Sequence, residues 1–431
     1  MNLELFIARR LLKGKSRKAV SVPIVKIAVA GISLGVCVML ISVFVITGFK
    51  QEITAKLSGF MAHLNITAYD NNDSYSGNGI HLSDTLLEQL RGLPEINQAY
   101  PYVNKPTILK SKDEIHGLVF RGVDSTFDAS FYLENLRAGE MPDFSGGRPS
   151  DEILISASVA QVLNVKPGDR LTAHFVQQPP RVRVFTVKGI YEPGFKEYDD
   201  LFAVCDVRHL QRLNGWEQDL FTGVAVELKE IGEIPLAEEK VDELISSNEK
   251  DDFFKITTLK ETAPQIFDWL SLLNMNVVVI LVLIVLVAGF NMVSGLLIFI
   301  LDQTALIGIL KALGYKNIAL RKLFLYVAMG LILNGMLVGN LLAFLLGGVQ
   351  HYFSIIGLNP DTYYMDTVPV NFNWWYIILL NAGVLLVSGL MLIVPTMLIS
   401  SIRPIKAIRF ERGDVLGDIP EDKRLLERNI L

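Results

Sequence analysis

The chain has 431 residues, 51% of them hydrophobic, with 40 Lys and Arg against 45 Asp and Glu for a formal net charge of −5. That balance gives no support to a nucleic-acid-binding protein. The two cysteines, Cys37 in an apolar run and Cys205 in a polar region, exclude a disulfide-built fold and predict no intrachain bridge.

A basic leader comes first, with Arg9, Arg10, Lys13, Lys15, Arg17, Lys18 and Lys26. Leu3, Phe6, Ile7 and Leu11 share one helical face, which predicts an amphipathic helix along the cytoplasmic membrane surface over residues 1–26. Ile27 to Phe49 contains no charged residue and would span about 35 Å as a helix, enough for a hydrocarbon core of about 30 Å. No small-x-small cleavage site accompanies this run, so it is expected to stay as a signal anchor. Three further apolar runs follow at 270–301, 323–349 and 374–402. Four such runs in one chain predict a polytopic membrane protein rather than buried helices of a soluble one.

Orientation follows from Lys and Arg near the span ends. The leader, the 302–322 loop (Lys311, Lys316, Arg321, Lys322) and the 403–431 tail (Arg403, Lys406, Arg409, Arg412) are basic. The 350–373 loop has Asp361 and Asp366 and no Lys or Arg. Both termini and the 302–322 loop are therefore expected in the cytoplasm. Residues 50–269 form the large extracytoplasmic domain, and 50–270 hold 22 basic and 35 acidic side chains, net −13.

That domain reads as α+β. Strands are predicted at 63–69, 115–123, 153–156, 170–176, 181–191, 201–205 and 223–228. Helices are predicted at 83–91, 157–163, 207–213 and 237–246, with Lys166-Pro-Gly-Asp169 as a turn. Gln177, Gln178, Pro179 and Pro180 stand between two strongly β segments. Proline cannot donate to a ladder, so they mark a hairpin tip, flanked by Val176, Arg181 and Arg183. Such a tip is either a docking element or an ordinary surface loop.

No catalytic constellation is legible. The histidines at 63, 81, 116, 174, 209 and 351 lack metal-ligand spacing. No H-E-x-x-H, G-x-S-x-G or C-x-x-C motif occurs, and Gly189 to Gly194 is followed by Phe195-Lys196 rather than a P-loop Lys-Ser/Thr. The chain is expected to be no enzyme and to bind no metal or cofactor itself. The spans offer Asn274, Asn276, Asn291, Asn334 and Asn340 rather than ionisable groups, which suits helix–helix hydrogen bonding more than an ion pathway. Between spans two and three, Leu306, Ile309, Leu310 and Leu313 form an apolar stripe ended by Gly314, either an insert for a groove on a soluble partner or interfacial packing.

Four segments carry a resemblance: Glu4-Leu-Phe-Ile-Ala-Arg-Arg10, Gly48-Phe49-Lys50, Gly308-Ile-Leu-Lys-Ala-Leu-Gly314 and Arg403-Pro-Ile-Lys-Ala-Ile408. With the order of one span, large domain and three spans, the chain resembles the LolC/LolE family of lipoprotein-releasing ABC transporter permeases, within the FtsX/MacB-like superfamily. The resemblance implies a MacB-like periplasmic core domain in an inner-membrane protein. It implies a coupling helix (Leu306, Gly308, Ile309, Leu310, Lys311, Leu313, Gly314) seated on a separate LolD-type ATPase dimer, which binds ATP and Mg. Family members often begin that helix with Glu, where this chain has Asp302 and Gln303. The tip Val176–Arg183 would correspond to the hook that recruits a LolA-type carrier. The other implied partners are a second permease subunit and an acylated lipoprotein. Span one with span two is the expected wall of the lipoprotein groove, at Val38, Ile41, Ser42, Val45, Phe49, Leu273, Asn276 and Ile280. Gly31 and Gly35 would allow close helix approach. The alternatives are a MacB-like mechanotransmission exporter and an FtsX-like signalling scaffold controlling a cell-wall hydrolase.

Overall fold

The structure is a computed structural model that describes residues 3–13, 21–69, 75, 77–248 and 254–398. The basic residues Lys15, Arg17 and Lys18, the last positions of the fourth apolar run and the Arg403–Ile408 segment lie outside the described residues.

In chain order, α1 (Leu3–Lys13) and α2 (Ser21–Met61) come first, then β1 (Leu64–Ala68), α3 (Asp84–Arg91), β2 (Ile96–Lys110), β3 (Ile115–Val123), β4 (Leu136–Gly139), β5 (Glu152–Ser156) and α4 (Ala157–Leu163). There follow β6 (Arg170–Phe175), β7 (Arg181–Tyr191), β8 (Phe202–Asp206), α5 (Val207–Asn214), β9 (Gly223–Leu228), α6 (Ile234–Asn248) and β10 (Phe254–Thr258). The chain continues with α7 (Pro264–Asp302), α8 (Thr304–Ala312), α9 (Asn317–Phe353), α10 (Trp374–Met391) and α11 (Ile393–Leu398).

Two compact units result. One takes the described residues of Met1–Phe49, Ser271–Ile355 and Pro369–Leu431, the other those of Lys50–Leu270 and Ile356–Val368. In the second unit, ten strands form one mixed sheet in the order β10-β1-β9-β2-β3-β8-β5-β7-β4, with β6 paired to both β2 and β7. Two cores flank it. Leu64, Ile66, Val224 and Val226 pack with α3 and α6, while Phe120, Ile153, Phe175 and Phe185 pack with α4 and α5. Each buried side chain of this size contributes about 1.5–3 kcal/mol. The helices start where side-chain oxygens cap them: Ser83 accepts from Leu86 N–H, Ser156 from Val159 N–H and Asp206 from Arg208 N–H. The short segment Ile356–Val368 also packs within this unit. Tyr364 stacks on Phe195 at 4.5 Å between ring centroids, and its carbonyl accepts from Lys56 Nζ at 3.1 Å.

In the first unit, α2, α7, α9 and the run Trp374–Met397 are long and apolar enough to cross a membrane. Half of the most apolar window of α2 is buried, against 17% of that of α7. Small residues allow this. A Cβ on Gly35 would lie 3.2 Å from Ile284 on α7, and one on Gly339 would lie 2.6 Å from the Ser33 carbonyl. Helices α9 and α10 are joined by a reciprocal amide pair, Asn340 with Asn381, at 2.8 and 3.0 Å. Such intramembrane bonds contribute about 0.6 kcal/mol on average. Helix α1 packs on α9 through Ile7, Ala8 and Leu11, while Leu3 and Phe6 of the predicted apolar face are exposed.

Candidate functional site

Helix α8 follows α7 after a break at Gln303, whose side chain donates to Asp302 Oδ2 at 3.0 Å. It closes in a Schellman arrangement: Tyr315 N–H donates to the Leu310 carbonyl and Gly314 N–H to that of Lys311, each at 3.0 Å. Gly314 has φ +86°, which favours glycine, and nothing stands where its Cβ would be. The apolar stripe read from the sequence is divided. Leu310 packs on the core of its unit and Leu306 is half-buried, with Gly308 buried and Lys311 half-buried. Ile309 and Leu313, one turn apart, are 49% and 78% exposed. Ile307, absent from the stripe, is fully buried and anchors the helix.

The hairpin β6–β7 is in register from Arg170↔Thr186 to Phe175↔Arg181. The predicted strand end at Val176 falls one residue into the connection, so only residues 176–180 extend past the ladder. Strand β6 is also paired with β2, Thr107↔Phe175 to Lys110↔Thr172, so the hairpin is held in the sheet up to its tip. Gln177 ties the tip back through its side-chain amide to the Leu213 carbonyl at 3.5 Å. Val176, Gln178, Pro179, Pro180, Arg181 and Arg183 are exposed. Beside them the register aligns Ile108, His174 and Val182 across three strands, with Val184 two residues along the same face. Ile108, Val182 and Val184 are exposed, whereas Phe185 and Val187 are buried. The alternation in β7 therefore runs out-in across the Val184-Phe185 step.

The expected groove residues are spread along two helices. Val38 is exposed, Ile41, Ser42 and Val45 are half-buried and Phe49 is buried on α2. On α7, Leu273 is half-buried while Asn276 and Ile280 are exposed. A cavity of about 470 Å³ between α2 and α7 lies at none of these positions. Its walls include Ala28, Gly31, Leu34, Asn291, Ser294 and Gly295. The signal for it was the facing small residues, which leave space where larger side chains would fill it. Among the described residues, no group of three or more His, Cys, Asp or Glu could hold a metal ion.

Residues 27–244 match the MacB-like periplasmic core domain, and residues 278–404 match the FtsX-like permease C-terminal family. The chain belongs to the LolC/LolE permease family. Over 95% of its length it is 26% identical to the lipoprotein-releasing system transmembrane protein LolC of Neisseria meningitidis, covering 100% of that protein. It is 24% identical to LolC of Xylella fastidiosa Temecula1 and 22% identical to LolE of Haemophilus influenzae, again over 95% of this chain and 99% of each relative. As a LolC/LolE-family permease, the chain carries its hairpin in the MacB-like region and α8 in the FtsX-like region.

Proposed function

We propose that this chain is the membrane subunit of an inner-membrane ABC system that uses ATP hydrolysis in a separate ATPase to extract lipoproteins and pass them to a periplasmic carrier. The observation that carries the reading is similarity to LolC and LolE proteins from end to end. Both termini and α8 would lie in the cytoplasm, a placement the distribution of Lys and Arg supports, with residues 50–269 in the periplasm. Ile309 and Leu313 form an exposed apolar pair on a short rigid helix, the shape that fits a groove on a soluble partner. The 176–183 tip offers Val176, two prolines and two arginines to a carrier. Helices α2 and α7 would border the acyl chains, and the exposed apolar length of α7 would face lipid or a second permease subunit.

Replacing Ile309 and Leu313 together by Asp should abolish co-purification of the ATPase while leaving the protein folded, because both side chains are exposed. Each exposed anchor of this kind is worth on the order of 1–2 kcal/mol of binding. Unchanged recovery of the ATPase with the doubly substituted protein would refute this role for α8.

A further inference from the structure

Arg121 on β3 is a buried cation that forms no ion pair among the described residues. It is 5% exposed. Its Nη1 donates to the Phe60 carbonyl and its Nε to Asn104 Oδ1 at 3.4 Å. The Tyr102 and Phe202 rings lie 4.9 and 4.7 Å from the guanidinium carbon. A guanidinium has five N–H donors, and these partners use two. The rings offer partial compensation through their π faces, but among the described residues no acidic side chain forms an ion pair with Arg121. A buried charge is costly unless it is paired.

The same side chain lines a cavity of about 120 Å³. A single water needs only about 10–15 Å³, so the space suits a group of several atoms. Strand register builds its walls. Thr67 pairs with Lys255 on one side and Gly223 on the other, Gly223 pairs with Tyr102, and Asn65 pairs with Thr257, all on the face that carries Arg121. Gly223 keeps this row open, since a Cβ there would fall 2.9 Å from Tyr102 Oη. Among the described residues the lining holds two cations, several hydroxyls and amides, and no Asp or Glu. This occurs in a region whose net charge is −13, so the local sign is the reverse of its surroundings.

We propose that this cavity is an oxyanion site that takes the carboxylate or phosphate group of a small soluble molecule, with Arg121 as the buried anchor and Lys255 as a second cation. The planar guanidinium fork matches both groups. The hydroxyls of Thr67 and Thr257 supply donors around them, with the one N–H that the Asn65 amide has left after donating to the Met61 carbonyl at 2.6 Å. The site is independent of the hairpin and of α8, and it does not rest on the transport reading.

The test uses the full-length protein in nanodiscs of zwitterionic lipid. Its unfolding temperature is followed against inorganic phosphate and against acetate, with ionic strength held constant by chloride. A saturable rise with phosphate or acetate beyond that in chloride is expected. Lys255→Met should raise the half-saturating concentration on the order of tenfold, the loss of one charge-assisted contact. Arg121→Lys should remove saturation. If Arg121→Lys fails to fold, Lys255→Met decides, because Lys255 lies on an outer strand. No rise beyond chloride, or saturation unchanged in Lys255→Met, overturns the site. Stabilisation that needs phosphatidylglycerol in the nanodisc and ignores both free anions overturns the soluble ligand in favour of a lipid headgroup.

Discussion

Glu227 on β9 is largely withdrawn from water. Burial, reinforced by the Asp128 charge, pushes its carboxyl up to about 7. Burial likewise pushes Asp199 up to about 6, against the opposing hydrogen bond from Phe195 N–H. In each case the folded protein keeps a proton that the unfolded chain has released. Their contributions to stability are full below the unfolded values of 4.5 and 3.8 and are lost as pH rises through about 7 and about 6. His63 works in the opposite sense. Burial lowers it to about 4, and its Nδ1 accepts from Leu228 N–H at 3.1 Å, so its contribution is present above 6.5 and lost as pH falls through about 4. Glu227→Gln should therefore stabilise the protein at pH 8 by on the order of 1–3 kcal/mol and change little at pH 4.5. Denaturant titrations at the two pH values measure this. Equal effects at both would mean that the Glu227 charge is solvated in the native state.

At the scale of elements, close approach between α2 and α9 depends on glycine at specific turns. A Cβ on Gly339 would stand 2.6 Å from the Ser33 carbonyl and 2.9 Å from Val36, whereas Gly348 on the same helix has open space. Gly339→Leu should cost about 1–3 kcal/mol by overpacking, and Gly348→Leu should cost almost nothing. Thermal unfolding in detergent compares them, and an equal loss in both would remove the packing argument. Elements with clean periodicity were legible in the sequence: 115–123, 181–191 and 223–228 are strands and 157–163 is a helix, each with the bounds expected. Strand β2 was not, because Pro101 and Pro106 interrupt its β pattern. The structure tolerates them where β2 has a ladder on one side only, before β3 pairing begins at Tyr102 and between the β9 and β6 pairings. The direction of α8 was half legible. Leu306, Ile309, Leu310 and Leu313 mark it as amphipathic, but which flank faces the core depends on Ile307 and on neighbouring helices that no local pattern encodes.

For the whole molecule, hydropathy and charge placement carried the most information. Four apolar runs correspond to four helices able to cross a membrane, and the run of strands between the first two corresponds to one ten-stranded sheet. The affiliation of Ile356–Val368 with the large unit was not legible, since it rests on contacts such as Phe195 with Tyr364 made far apart in sequence. Similarity to LolC and LolE proteins over 95% of the chain is what the lipoprotein-release reading rests on. The most direct test is to purify the tagged protein from its native membrane and identify by mass spectrometry what accompanies it. The account predicts a separate ATPase together with acylated lipoproteins. An ATPase with a cell-wall hydrolase and no lipoprotein would contradict it and make the chain a signalling scaffold.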